Sequence, residues 1–343
     1  MTALYRPFIK SNLYFGDKFV HRRGQFEEIF SNKKGLLICV PGIGVTKDFT
    51  AIISDCYSDM ELIGKSQCFP LYWYEDTKKK EEDLKEKRRQ KGGYTIDAFE
   101  QDLFDAEAVE KQRYIRHDGI TDWILKEVRT RYGAKNITKE MIFYYVYGLL
   151  HSKDYRERFA ADLKKSLPRI PIVDRVEDFM EFYKAGKELA DLHLNYETVE
   201  AYPDVIVHGD RKVPIDVKRD PATGGYVQAP ADDKAYDYFR VVDKMRFKSK
   251  NDKSTIIYNG NITIEKIPAK AYEYIVNGKS AIEWIVERYC VSQDKKSLIK
   301  NDANDWAREH HKPRYILDLL LSVINVSVQT VDIVKNLPKL KFE

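Results

Sequence analysis

The stretch NITKEMIFYYVYGLLHSKDYRERFAADLKKSLPRIP, Asn136 to Pro171, decides how the rest of the chain is read. Ile142, Phe143, Val146, Leu149 and Leu150 recur at helical spacing and predict a buried helix over Lys139 to Leu150. Thr138 is placed to cap it, and Glu140 sits near the positive end of its dipole. Gly148, His151 and Ser152 read as a turn. A second helix is predicted from about Asp154 to Leu167, with Tyr155, Phe159, Leu163 and Leu167 in one stripe and Arg156, Arg158, Lys164 and Lys165 off it. Pro168 and Pro171 stop that helix. The expectation is an αα-hairpin with one arm buried and the other half basic, holding together the strands on either side of it.

Working outward, the N-terminal side reads as short strands and turns. Asn12 to Phe15, Leu36 to Val40, Phe49 to Cys56, Met60 to Ile63 and Phe69 to Tyr74 are apolar runs of strand length. Residues 94–135 read as largely helical, with Ile120, Trp123, Ile124 and Val128 on one face and Gly133 as C-cap. On the C-terminal side, Val176 to Leu194 is an amphipathic helix. Val205 to Val207, Val213 to Val217, Phe239 to Val242, Ser254 to Tyr258 and Asn261 to Ile264 read as strands, the last two joined by an Asn259-Gly260 turn. Ala281 to Tyr289 and Tyr315 to Val334 are helical. The expected class is therefore α+β. A mixed-sheet region is built from the N-terminal and 200–275 segments, beside a helical hairpin and a C-terminal helical bundle. The boundaries fall at 1–135, 136–195, 196–279 and 280–343.

With 343 residues, 43% of them hydrophobic, the chain can bury an ordinary core. Cys39, Cys56, Cys68 and Cys290 lack C-x-x-C spacing, which argues against a zinc ribbon or a disulfide framework and fits a reducing, cytoplasmic compartment. The opening MTALYRPF has no apolar signal region, and Asp318, Ser322 and Asn325 interrupt the longest apolar run, so no membrane span is expected.

A net charge of +4 conceals local excess. Lys78 to Lys91 carries eight basic residues against four acidic ones, and Arg240 to Lys253 carries six against two; either window alone equals the excess of the whole chain. Such concentration suggests a local polyanion site. The first window also reads as a solvated loop. In the second, Lys244, Arg246, Lys248 and Lys250 occupy every other position, so a strand would turn them to one face with Met245 and Phe247 inward. A row of cations about 7 Å apart suits a phosphate backbone. It equally suits an edge strand guarded against aggregation.

Enzymatic signatures are weak. Gly42 to Lys47 lacks the spacing of a phosphate-binding loop and reads as a turn that presents Thr46 and Lys47. Asp204, Asp216 and Lys218 echo the PD…(D/E)-x-K pattern of metal-dependent nucleases, in which two carboxylates hold Mg²⁺ and a lysine attends the attacking water. Histidines are scattered. No catalytic site and no metal site is expected.

Ile142 to Pro171 resembles a signature segment of type ISP restriction–modification enzymes and of the related type IIG adenine methyltransferases. Further matches run in order along the chain: YRPF (Tyr5 to Phe8), CFPLYWYE (Cys68 to Glu75), VDKMRF (Val242 to Phe247), DKSTIIYN (Asp252 to Asn259), VNGKSAIEWIVERY (Val276 to Tyr289) and RYILDLLLSVINVSVQTVDIV (Arg314 to Val334). The resemblance implies the C-terminal target recognition domain, a non-catalytic reader of double-stranded DNA. Its partner would be an upstream N6-adenine methyltransferase domain of the same polypeptide. S-adenosylmethionine, ATP and Mg would belong to upstream domains, leaving this chain without a cofactor. Expected DNA contacts are Lys244, Arg246, Lys248 and Lys250, with Arg22, Arg23 and Lys47 as lesser candidates and Lys218 and Arg219 near the bases. The alternatives are the nuclease through Asp204, Asp216 and Lys218, and a non-catalytic protein-interaction scaffold.

Overall fold

The computed structural model describes residues 1–14, 16, 18, 26–30, 35–77, 114–210, 217–219, 226–228 and 233–341. The chain begins with β1 (Thr2–Arg6) and β2 (Ile9–Asn12), an antiparallel pair. After α1 (Phe26–Phe30) come β3 (Leu37–Val40), β4 (Ile52–Ser54), β5 (Tyr57–Ser58) and β6 (Gln67–Pro70). β5 adds to β1 in parallel, while β4, β3 and β6 form an antiparallel sheet in that order. β7 (Tyr72–Asp76) pairs with β8 (Tyr114–Asp118), which stands where a helix is predicted.

Four helices follow: α2 (Asp122–Tyr132), α3 (Lys139–His151), α4 (Lys153–Arg158) and α5 (Val176–Leu194). Beyond them lie β9 (Ile206–His208), the ribbon β10 (Val217–Arg219) and β11 (Tyr226–Gln228), and α6 (Asp233–Phe239). β12 (Arg246–Phe247), β13 (Ile256–Ile257) and β14 (Thr263–Glu265) join β9 in a four-stranded sheet of order β12-β13-β14-β9. The chain then forms β15 (Ile275–Val276), β16 (Lys279–Ser280), α7 (Ala281–Arg288), the hairpin β17 (Val291–Gln293) and β18 (Lys300–Asp302), α8 (Asn304–Glu309) and α9 (Tyr315–Lys335). The class is α+β, with its strands in several small sheets.

The β4-β3-β6 sheet is the wall between two hydrophobic cores. All four residues of β3 are buried, and their alternation divides them. Leu37 and Cys39 enter a core shared with α7, α9 and the β12–β14 sheet, while Ile38 and Val40 enter a core shared with α3 and α5. Ile52 and Ile53 of β4 divide the same way. A strand covered on both faces reads as a continuous apolar run, which is why LICV lacks polar alternation. The first core draws on residues from Leu4 to Val331, so it spans the N-terminal, 200–275 and C-terminal segments together.

Thr138 caps α3 as expected, its hydroxyl accepting from the Met141 amide at 3.2 Å. Thr138→Ala is expected to cost about 1 kcal/mol of stability, measurable as a shift of the urea midpoint. A loss below a few tenths would show that the cap bond is not formed in solution.

The Asn136 to Pro171 hairpin is built differently from its prediction. α4 ends at Arg158, and Phe159 to Ser166 continues in turns. Pro168 has no N–H to offer the carbonyl of Lys164, and that carbonyl accepts instead from Gly44 in the turn after β3, at 3.0 Å. The long partner of α3 is α5. Gly148 lies inside α3, not at a turn, and faces Gly186 of α5. A Cβ on Gly148 would stand 2.2 Å from the Phe182 carbonyl oxygen, and one on Gly186 would stand 1.9 Å from that of Tyr144. The two helices meet backbone to backbone.

Two other predictions are corrected. Trp123 is 71% exposed, while Ile120, Ile124 and Val128 of the predicted face do pack inward, joined by Leu125 and Tyr132. Phe239 to Val242 is not a strand: α6 runs into Phe239, and Asn304 clamps Val241 by bonding both its N–H and its carbonyl at 2.9 Å. α9 is long and apolar enough to cross a membrane, yet 72% of its most apolar stretch is buried in the fold. Its polar residues are spent internally: the Ser322 hydroxyl donates to the Tyr196 carbonyl at 2.6 Å, and Asn325 donates to that of Glu200 at 2.8 Å.

Candidate nucleic-acid interface

The β12-β13-β14-β9 sheet has one buried face and one open face. Register sets Phe247 against Ile256, Ile256 against Ile264 and Ile264 against Val207, and this row seals the core. The neighbouring row crosses all four strands as Arg246, Ile257, Thr263 and His208, and it faces outward. Ile257 is 43% exposed, an aliphatic group flanked by polar ones. The His208 ring meets the Glu265 carboxylate at 2.9 Å.

Asn259 fixes how this sheet meets the basic segment. Its side-chain oxygen accepts from the amides of Asn261 and Ile262, closing the turn between β13 and β14, while its amide donates to the carbonyls of Tyr238 and Arg240, all at 2.9 Å. The Asn-Gly turn signal therefore also anchors the entry to the basic run.

Within that run the in-and-out alternation holds from Lys244 to Lys248, with Met245 buried and Phe247 half-buried between exposed cations. Only Arg246–Phe247 is strand. Lys250 lies in the Ser249–Asp252 turn and leaves the row, so the four-cation strand is shortened to Lys244, Arg246 and Lys248. Several charges of the segment are already committed. Arg246 pairs with Asp243 at 3.0 Å, Lys253 with Glu283 at 2.6 Å and Arg240 with Asp237 at 3.8 Å. Lys244, Lys248 and Lys250 make no ion pair among the described residues. Hydrogen bonds from Ser254 hold the Asp252 carboxyl below its usual range, with the Lys248 charge adding to the effect.

The β17–β18 hairpin docks beside this row, the Val291 amide donating to the Asp243 carbonyl at 2.7 Å. Its tip is stiff. The Asp294 carboxylate accepts from the amides of Lys296 and Ser297 at 3.0 and 2.7 Å, and from the Ser297 hydroxyl at 2.9 Å. Leu298, at φ 60°, is held in the left-handed region, with its carbonyl accepting from Gln293 at 2.9 Å. The tip presents Lys295 and Lys296, and it leaves Leu298 and Ile299 68% and 61% exposed. Sequence reasoning assigned this region to helix. The Asp294-Lys295-Lys296-Ser297 turn cluster between β-branched residues was the available signal.

The other expected contacts do not gather here. Lys47 is exposed in the turn after β3, its stem 3.2 Å from where a Cβ on Gly278 would stand, in the turn between β15 and β16. Lys218 and Arg219 belong to the β10–β11 ribbon, paired in register with Val227 and Tyr226. Arg22, Arg23, Asp216 and the Lys78 to Lys91 run lie outside the described residues. Asp204 is exposed in the turn before β9. Among the described residues no cluster of three or more His, Cys, Asp or Glu is placed to hold a metal ion.

The Type ISP C-terminal specificity domain matches residues 1–319 of the chain. Among solved structures, the DNA-bound ATP-dependent Type ISP restriction-modification enzyme LlaBIII is 33% identical with a TM-score of 0.74, over 100% of this chain and 18% of that one. A nuclease-deletion mutant of the Type ISP enzyme LlaGI, in complex with a DNA substrate mimic, gives 34%, 0.70, 100% and 25%. A DrdV–DNA complex gives 27%, 0.72, 99% and 28%. The chain thus spans 18 to 28% of the length of these structures. No curated protein matches it.

Proposed function

The chain belongs to the Type ISP C-terminal specificity domains, and on that premise we propose that it reads double-stranded DNA through the open face of the β12-β13-β14-β9 sheet and the adjoining β17–β18 tip. One observation carries the assignment of the surface. Exposed cations that make no ion pair among the described residues stand on the basic run beside an exposed row of hydrogen-bonding and aliphatic groups, as Lys244 and Lys248, and on the tip of the hairpin that the run holds at Asp243, as Lys295 and Lys296. Phosphate contacts set register and carry affinity, and the row Arg246, Ile257, Thr263 and His208 supplies group types that read base edges, including a thymine methyl. The structures it resembles are complexes with DNA or a DNA mimic, which supports the same reading. In this reading the domain positions methylation and cleavage performed by other parts of a longer polypeptide. S-adenosylmethionine, ATP and Mg²⁺ belong to those parts, and this chain contributes contacts without chemistry.

Salt-dependent binding tests the proposal. With a labelled mixed-sequence duplex and no metal, log K is expected to fall linearly with log salt concentration by about 0.9 for each phosphate neutralised. Absence of binding at 50 mM salt would refute it. In the same preparation, Mg²⁺ is expected to leave the duplex intact. Cutting that disappears in Asp216→Ala would favour the nuclease reading.

A further inference from the structure

Away from that face, β3 and β6 hold two thiols in contact. Cys39 and Cys68 are register partners across the two strands, and their Sγ atoms lie 3.2 Å apart. The ladder explains why they meet. The Leu71 amide donates to the Leu36 carbonyl at 2.9 Å, so the opposed pairs alternate from there. Leu37 and Pro70 form an unbonded pair, where Pro70 has no N–H to offer. Ile38 and Phe69 form a bonded pair, and Cys39 and Cys68 are unbonded again. At an unbonded antiparallel pair the Cα atoms stand about 4.5 Å apart and the side chains are closer than at a bonded one. That separation lies within the range a disulfide spans, about 4.4–6.8 Å. Bonded sulfurs stand about 2.05 Å apart, so the bond asks for a closure of about 1 Å from the present contact.

The two sulfurs differ in access and in acidity. Cys39 is fully buried, whereas Cys68 is half-buried on the edge strand of the β4-β3-β6 sheet. The hydrogen bond from Cys39 holds the Cys68 thiol below its usual range, and the same bond together with burial pushes Cys39 up. Burial also raises the other two thiols, Cys56 and Cys290. Of the four cysteines, Cys68 alone is shifted toward the thiolate, the form that attacks an oxidant. It also has a second thiol in contact, which is what turns a first oxidation product into a disulfide.

We propose that Cys39 and Cys68 form an oxidation site for small hydroperoxides, with Cys68 as the attacking thiol and Cys39 as the resolving one. The Cys68 thiolate attacks one oxygen of hydrogen peroxide. An S–O bond forms, the O–O bond breaks, and the leaving hydroxide takes up the proton that Cys68 released. The Cys39 sulfur then attacks the Cys68 sulfenic acid. The S–S bond forms, the S–O bond breaks, and the departing hydroxide carries off the Cys39 proton as water. The two thiols together give up two electrons, and the peroxide leaves as two waters. The product ties the edge strand β6 to β3, the strand that walls both cores. The site stands independently of the DNA reading.

Mass spectrometry of the full chain tests it. The folded protein is exposed to hydrogen peroxide until a free-cysteine control is fully oxidised, then quenched with catalase, denatured and alkylated. Free thiols are expected to fall from four to two, with the intact mass lower by two hydrogens. Trypsin cuts between the two cysteines at Lys47 and Lys65, and a non-reduced digest is expected to yield the Cys39 peptide joined to the Cys68 peptide. Dithiothreitol is expected to restore all four thiols, which it would not do from a sulfinic acid. Cys39→Ala is expected to stop at a Cys68 sulfenic acid that dimedone traps. Cys68→Ala is expected to lose thiols at least about tenfold more slowly, because the remaining sulfurs are held as thiols. Should Cys39→Ala not fold, the digest of the parent and Cys68→Ala, at the half-buried position, carry the test. Four free thiols after treatment, a link through Cys56 or Cys290, or oxidation of Cys68→Ala at the parental rate would overturn the proposal.

Discussion

Gly186→Ala is expected to destabilise the fold by more than about 2 kcal/mol, and Gly186→Val to prevent folding at 37 °C. The direction makes this a sharp test. Gly186 lies in the interior of α5, where helix propensity alone makes alanine better than glycine by about 1 kcal/mol. Packing says the reverse. A Cβ there would stand 1.9 Å from the Tyr144 carbonyl oxygen and 2.7 Å from the Gly148 amide nitrogen. Both are backbone atoms, so no rotamer change relieves the overlap and α3 and α5 must separate. Separation opens the core that Tyr145, Phe179 and Phe182 fill, with Tyr145 stacked on Phe179 at 4.6 Å and edge-on to Phe182 at 6.0 Å. Urea denaturation measures the effect. A Gly186→Ala protein as stable as the parent, or more so, would mean that the helices do not cross at these glycines.

That crossing also shows where sequence reading reached and where it stopped. Thr138, Gly133 and the Asn259-Gly260 turn were legible because each acts on backbone within a few residues. α5 and α9 were legible because their apolar periodicity runs for four or more turns. Gly148 was misread because glycine in a sequence signals a turn as readily as a close approach, and its partner Gly186 lies 38 positions away. Leu163 and Tyr155 were rightly placed inward, but the carbonyl that Gly44 takes from Lys164 is a tertiary bond that no local pattern contains.

The candidate interface divides the same way. Alternation exposed Lys244, Arg246 and Lys248 in the sequence. It gave no means of knowing that Arg246 is held by Asp243, or that register would set Ile257, Thr263 and His208 beside it. The β17–β18 tip became visible only through the bond from Val291 to Asp243, across 48 residues.

Replacing Lys244 and Lys248 together by glutamine is expected to lower duplex affinity for all sequences alike and to flatten the log K against log salt slope by about 1 to 2 units. The same loss is expected when Lys295 and Lys296 are replaced, because both pairs are exposed without an ion pair among the described residues and their segments are joined by the Val291–Asp243 bond. Since counterion release vanishes toward 1 M salt, a slope change of that size corresponds to roughly ten- to a hundredfold weaker binding at 0.1 M. Arg246→Gln should flatten the slope less than either pair. Its guanidinium already has Asp243 at 3.0 Å, so DNA gains only what that pair gives up. These lysines are exposed, so the urea midpoint is expected to stay within about 0.5 kcal/mol of the parent, which separates lost contacts from lost structure. A quadruple variant that keeps the parental slope would remove the whole surface from the interface and leave the β10–β11 ribbon, with Lys218 and Arg219, as the next surface to test.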